Sequence, residues 1–274
     1  MPPPGDHESA PVEPARGLLI DLDGVVYEGE RAVPGAAQAL EWLDRQGIPY
    51  LFLSNTTSRP RSALVTKLAG IGVHTGLEQI LTPPVAAAAW LREQRVAGPL
   101  ALFIPPATRQ EFTGFAWAPA GAEQAGAVVV GDYGERWSFA ELNRAFRLLI
   151  GEARPPLVAL GMTRYWRAPE GLRLDAGPFV VALAHAADVE PVVLGKPSGA
   201  FFRAALARLG IAADRAWLIG DDIRTDVGGA QRAGLRAALV RTGKFRASDL
   251  HGDVTPDAVL ESLAELPARW AELG

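Results

Sequence analysis

The chain contains no cysteine. That excludes disulfides, thiolate catalysis and cysteine-ligated zinc or iron–sulfur centres. A formal net charge of −4 over 274 residues leaves no basic footprint of the kind nucleic-acid binding needs. No apolar run approaches the roughly 18 residues of a membrane span, so no membrane partner is expected. There is no Gly-x-x-x-x-Gly-Lys-Ser/Thr loop, and Gly70-x-Gly72 does not open a Gly-x-Gly-x-x-Gly turn after a strand. Nucleotide triphosphatase and dinucleotide-dehydrogenase readings lose their main support. His74, His185 and His251 lack metal-ligand spacing and read as bystanders. Met1 to Arg16 holds five prolines and no apolar core, and reads as a disordered tail rather than a signal peptide or strand. The cytoplasm is the expected compartment.

What is present is a chain 49% hydrophobic and 21% charged, enough for a buried core and two domains. Short apolar runs alternate with helical patterns: the signature of a doubly wound parallel α/β sheet. The run Gly17-Leu18-Leu19-Ile20 ends in Asp21-Leu22-Asp23-Gly24. Two carboxylates two residues apart repel each other unless a cation or a shared proton relieves them. Mg²⁺ would suit such hard oxygens. A polar turn is the plainer reading, while an EF-hand fails because its twelfth position is Ala32. A helix is expected over Pro34–Gln46, a strand over Tyr50–Leu53, and helices over Arg59–Ala69 and Val85–Gln94.

From about Gly98 the alternation starts afresh, with strands at Leu100–Ile104, Ala127–Val130 and Leu157–Leu160. Ser138-x-x-Glu141 is a capping box for a helix Phe139–Ile150, and a further helix covers Pro178–Ala187. The first pattern then resumes: a strand Val192–Leu194, a helix Gly199–Leu209, a strand Ala216–Ile219, a helix Arg224–Ala233 and strands at Ala237–Val240 and Ala258–Leu260. Ser262-x-x-Glu265 caps a terminal helix. The expected division is a core of residues 17–82 and 189–274 with an inserted α/β cap domain at 83–188.

Four strand ends carry polar groups: Asp21/Asp23, Ser54/Asn55, Lys196 and Asp221/Asp222/Asp226. A parallel sheet brings all its carboxyl ends to one edge, so these groups converge. Carboxylates for a metal, with a hydroxyl and an ammonium for an anion, make a phosphoryl-transfer set. Asp222 serves equally well as a helix cap, and Asp132 and Tyr133 as a simple turn.

The order Asp-x-Asp-Gly-Val, strand-end Ser, Lys-Pro, Gly-Asp-Asp-x-x-x-x-Asp resembles the haloacid dehalogenase (HAD) superfamily of phosphohydrolases. The α/β unit between Ser54 and Lys196 is similar to the cap of HAD subfamily IIA. Longer strings, Ser138 to Phe146, Gly177-Pro178-Phe179, Leu194 to Ser198 and Val240 to Phe245, are similar to the subfamily's phosphatases of phospholysine, phosphohistidine and inorganic pyrophosphate. The resemblance covers the chain from about Gly17 onward and implies a Rossmann-like HAD core. It further implies Asp21 as nucleophile, Asp23 as general acid and base, and Ser54, Asn55 and Lys196 as phosphate-binding groups. Mg²⁺ would be held by Asp21, the Asp23 backbone carbonyl and Asp221, with Asp222 and Asp226 orienting its water. The implied substrate is a small phosphorylated metabolite, a phosphoamino compound, pyrophosphate or phosphate monoester, with a pyridoxal phosphate, sugar phosphate or nucleotide phosphatase of the same fold as the alternative; a homodimer is admitted as the assembly. Arg164 and Tyr165, on an expected loop, Met162 to Arg167, after a predicted strand, are the expected leaving-group contacts. Rivals are a phospho-accepting receiver, for which Asp23 would have no purpose, a dehalogenase, which needs no metal, and a non-catalytic protein on the same fold.

Overall fold

A computed structural model describes residues 16–168 and 170–273; most of the expected tail, residues 1–15, lies outside them. Arg16 is described, and its guanidinium lies 4.9 Å from the ring centre of Trp270. Two parallel sheets carry the architecture. The larger has six strands in the order Ala258–Leu260, Arg236–Val240, Ala216–Gly220, Gly17–Asp21, Tyr50–Leu53 and Ile80–Leu81. From the central Gly17–Asp21 strand the chain first winds outward through 50–53 and 80–81. It later returns to the other side through 216–220. The reversal falls between the strands ending in Asp21 and Gly220, where a sheet of this kind opens a crevice at its carboxyl edge. Register sets the level: Ile20 pairs with Ile219 and Asp21 with Leu53, so Asp21, Ser54 and Asp221 leave the sheet side by side.

Alternation along the strands sorts their side chains into two cores. Leu18, Ile20, Phe52 and Ile219 face the helix Ala36–Gln46 on one side; Leu19, Leu51, Leu53 and Leu218 face the opposite side. The helix Pro83–Glu93 is buried on most of its circumference through Val85, Ala86, Ala87, Ala88 and Leu91. Its alanines permit close approach on several faces. It shares one core with the large sheet and with Leu102, Val129 and Val158 of the smaller one.

The smaller sheet has four strands, Val192–Val193, Leu157–Ala159, Ala127–Val130 and Leu100–Phe103. Val192–Val193, expected among the returning core strands, pairs instead with Leu157–Ala159. Two elements were not anticipated. A short hairpin, Tyr27–Glu28 with Arg31–Ala32, follows the carboxylate loop. A second, Tyr165–Ala168 with Gly171–Leu174, occupies the segment expected to be a loop.

Helix ends follow local chemistry. Gly47 and Gly210 adopt left-handed conformations at helix C-termini, where a side chain would be strained. The Ser138 hydroxyl caps its helix by accepting from Glu141 N at 3.2 Å. The reciprocal half of the expected box is absent, because the Glu141 carboxylate is drawn to Arg144 and Tyr133. The terminal box is likewise half made: Ser262 caps, while Glu265 accepts from Glu261 N. The predicted helix Arg224–Ala233 divides into a π-helical turn Ile223–Val227 and an α-helix Gly228–Arg232.

Candidate active site

Asp21 ends the central strand and is almost fully buried. The Leu22 carbonyl accepts from Val26 N at 2.9 Å and Tyr27 N at 3.2 Å, closing a tight turn. This turn leaves the Asp23 side chain exposed on the wall of the same cavity. Asp221 and Asp226 come from the adjacent strand end and the π-helical turn after it. Asp21, Asp221 and Asp226 each offer a carboxylate oxygen, and these oxygens lie within 4.8 Å of one another. The sequence reading gave Asp226 the task of orienting the metal's water; its carboxylate lies beside those of Asp21 and Asp221, on the turn capped by Asp222.

The Lys196 ammonium pairs with two of these acids: its Nζ lies 2.7 Å from Asp21 Oδ1 and 2.6 Å from Asp226 Oδ1. Buried charge is costly unless compensated, and the cluster remains acidic. Burial pushes the Asp21 carboxyl up to about 7 against the opposing pull of Lys196. Burial likewise raises Asp221 to about 6, with Lys244 opposing it. The Lys196 ammonium is held above its usual range by the two aspartates, which outweigh its own desolvation. Asp221 Oδ1 is buried with no hydrogen-bond partner. An orphaned carboxylate oxygen within a convergent set of hard oxygen donors fits a divalent cation such as Mg²⁺.

The glycines around Asp221 explain why the pattern needs them. Gly24 and Gly243 both have positive φ, and a Cβ on either would sit about 2 Å from Asp221 Oδ2. The same strap ties the site together. Lys244 N donates to Asp221 Oδ2 at 2.8 Å, Thr242 Oγ1 to the Gly24 carbonyl at 2.5 Å, and Gly243 N to Glu28 Oε1 at 2.6 Å. These residues lie in the quoted Val240–Phe245 string, but their task was not legible there because it depends on a contact across more than 200 residues of sequence.

Ser54 is buried beside Asp21, and its Oγ accepts from Thr56 N at 3.3 Å. The Asn55 side chain has another partner. Its Oδ1 accepts from Lys196 N at 2.8 Å and its Nδ2 donates to Lys196 O at 3.0 Å. Both ends of the amide are spent on positioning the lysine backbone, which leaves the Asn55 N–H as the group available to an anion. Asp222 is the helix cap, accepting from Arg224 N and Thr225 N at 3.0 Å each. Against the upward push of burial, those bonds and the Lys244 ammonium 3.7 Å away together hold its carboxyl below the usual carboxylate range.

All of this opens into a cavity of about 560 Å³. Its other wall comes from the smaller sheet and its connections: Asp132, Thr163, Trp166 and Asp175. Arg164 and Tyr165 do not line it. The cause is strand alternation: in Tyr165–Ala168 neighbouring side chains point to opposite faces, so Trp166 reaches the cavity and Tyr165 turns away, half exposed. Tyr133 is also outside the cavity wall, bonded to Glu141. Thr57 joins the walls: its Oγ1 accepts from Asp132 N at 3.0 Å, and its carbonyl accepts from Thr108 Oγ1 at 3.0 Å.

The fold and the aspartate-rich strand edge define a phosphohydrolase of the HAD class. Residues 18–117 match the haloacid dehalogenase-like hydrolase model, and residues 193–266 match a second HAD-hydrolase-like model. The chain belongs to the haloacid dehalogenase-like hydrolase family and is a phosphatase of it. It is 38% identical to phospholysine phosphohistidine inorganic pyrophosphate phosphatase from Homo sapiens over 91% of this chain and 92% of that protein. It is also 38% identical to haloacid dehalogenase-like hydrolase domain-containing protein 2 from Bos taurus, over 85% and 87%. The solved p-nitrophenyl phosphatase from Archaeoglobus fulgidus superposes with a TM-score of 0.83 at 26% identity, covering 92% of this chain and 98% of that one. Among the described residues no helix is long and apolar enough to cross a membrane.

Proposed function

We propose that the chain hydrolyses a small phosphorylated metabolite, a phosphoamino compound, pyrophosphate or phosphate monoester, through an aspartyl phosphate on Asp21. The observation that carries this reading is the Asp21 carboxylate at the cavity floor, 2.7 Å from the Lys196 ammonium and grouped with Asp221 and Asp226. Asp21 attacks phosphorus, and the bond from phosphorus to the leaving oxygen breaks. Asp23, exposed to the cavity, protonates that oxygen, then removes a proton from the water that attacks the acyl phosphate. Phosphate leaves and Asp21 returns to its starting form. The Ser54 hydroxyl, the Asn55 N–H and the Lys196 ammonium hold the transferring oxygens. Lys196 also holds Asp21 in place, and Asn55 holds Lys196. Asp21, Asp221, Asp226 and the Asp23 backbone carbonyl would hold Mg²⁺, which supplies the positive charge a carboxylate needs to approach a phosphodianion.

Residues 83–188, which carry three of the four small-sheet strands, the fourth being Val192–Val193, are read as a cap on a core of 17–82 and 189–274. This cap bounds the cavity opposite the nucleophile and excludes water from it. Thr163 and Trp166 are the contacts it offers a leaving group. The test is hydrolysis of a phosphate panel by the purified protein with Mg²⁺ and with excess chelator. Turnover that vanishes with chelator, returns with Mg²⁺ and is absent in Asp21→Asn is the expected result; full activity in chelator would overturn the metal assignment.

A further inference from the structure

The cavity's two walls differ in how their charges are matched. Around the catalytic floor Lys196, Arg59, Lys67 and Lys244 stand among Asp21, Asp23 and Glu30, with Lys196 and Lys67 in ion pairs there; the wall from the cap side presents Asp132 and Asp175. These acids belong to the reaction cavity itself and face the space that the leaving group must occupy. Among the described residues neither takes part in an ion pair. Arg173, the cation whose field reaches Asp132, is already paired with Glu135 and Glu170. The Asp175 carboxylate gives one oxygen to Ala176 N at 2.7 Å as a helix cap. Burial raises both carboxyls, and the charge on Asp132 works against that on Asp175. A cationic group brought beside them would favour the charged form of both. The Asp132 backbone is fastened to Thr57, three residues beyond Ser54, so its distance from the phosphate-binding loop is fixed. Trp166 stands in the same wall, and an aromatic face attracts a cation.

We propose that Asp132 and Asp175 select substrates whose leaving group carries a positive charge, an ammonium or guanidinium a few bonds from the scissile phosphorus, with Trp166 as the surface it lies against. This rests on the phosphatase reading above and narrows its substrate class. The phosphoryl group takes the Ser54, Asn55 and Lys196 donors and the leaving group the anionic wall, so the preferred substrate is zwitterionic. Pyrophosphate, whose leaving group is itself an anion, is the disfavoured member of the proposed class.

The test compares kcat/KM for phosphorylethanolamine, its neutral isostere propyl phosphate, and pyrophosphate. Wild type, Asp132→Asn and Asp175→Asn are assayed, with p-nitrophenyl phosphate as the neutral reference. Asparagine keeps the shape at both positions and is itself a good helix cap. The wild type should prefer the cationic over the neutral alkyl ester by about tenfold, the scale of one partly screened ion pair. Each variant should lower that ratio severalfold and raise the ratio of pyrophosphate to propyl phosphate. A wild-type ratio near one, or a ratio unchanged in both variants, overturns the proposal. Loss of the phosphatase reading looks different: no substrate, the neutral reference included, would then be turned over.

Discussion

The two walls of the cavity are built by different means. The catalytic wall is made of strand ends whose levels are locked by parallel register, so Asp21, Ser54 and Asp221 stand together wherever the sheet forms. The cap wall is made of loop and hairpin positions, Asp132, Thr163, Trp166 and Asp175, each set by a local turn or strand phase. One wall is dictated by topology and the other by detail. The first can serve many substrates unchanged, while the second can vary without disturbing the chemistry.

The sharpest way to break this contrast is at the nucleophile. Asp21→Asn should reduce turnover of every substrate by at least about 10³-fold, because an amide cannot form the phosphoenzyme. Activity within tenfold of wild type would remove the catalytic wall from the account. Asp23→Asn should cost roughly 10²–10⁴ on alkyl esters and less on aryl phosphates, whose leaving group needs no proton. Equal losses on both would show that Asp23 is not the general acid. Asn55→Ala comes next. With both amide bonds to the Lys196 backbone gone, a loss of about 10–100-fold is expected, seen across all substrates alike. A change confined to one substrate would make Asn55 a selectivity residue instead.

The cap wall should respond more gently and unevenly. Trp166→Ala should reorder the substrate ranking while a small aryl phosphate loses less than tenfold, and Arg164→Ala or Tyr165→Ala should leave the ranking as it is. A reordering by Tyr165→Ala and none by Trp166→Ala would mean the strand phase is reversed in solution.

The carboxylates also set a pH dependence. In the metal-free protein Asp221 holds its proton up to about 6, against a usual 3.8, so the folded state binds more protons than the unfolded one in that window. Stability contributed by this site therefore falls as pH rises from about 4 to 6. A cation competes with those protons, so a fixed Mg²⁺ concentration should raise Tm more at pH 7.5 than at pH 5. Equal shifts would place the cation elsewhere.

The same contrast governs what the sequence reveals. Asp21, Ser54 and Asp221 were legible because each ends a short apolar run, and a parallel sheet gathers such ends on one edge; Lys196 was legible only through its Lys-Pro string, since the run before it pairs in the smaller sheet. Asp226 was seen as orienting the metal's water; that its carboxylate lies with those of Asp21 and Asp221 was not legible from its spacing. Asn55 was seen as a phosphate ligand, and only coordinates show its amide bonded to a backbone 141 residues away. The hairpin at 165–174 was missed although Pro169-Glu170-Gly171 between two alternating runs is a turn signal. Missing it cost the phase, and with it the choice between Tyr165 and Trp166. Thr242 and Gly243 carry no chemistry of their own, so nothing in their residue types announces that they hold Gly24 and Asp221.

The central claim is that Asp21 is phosphorylated during turnover. Its most direct test is mass spectrometry of Asp23→Asn quenched in acid during hydrolysis of p-nitrophenyl phosphate. That substrate spares the first step while the variant slows the second. The account predicts one phosphoryl adduct, on the peptide containing Asp21, discharged by hydroxylamine and absent when Asp21 is also changed to Asn. Continued turnover with no adduct, or an adduct on another residue, would contradict it.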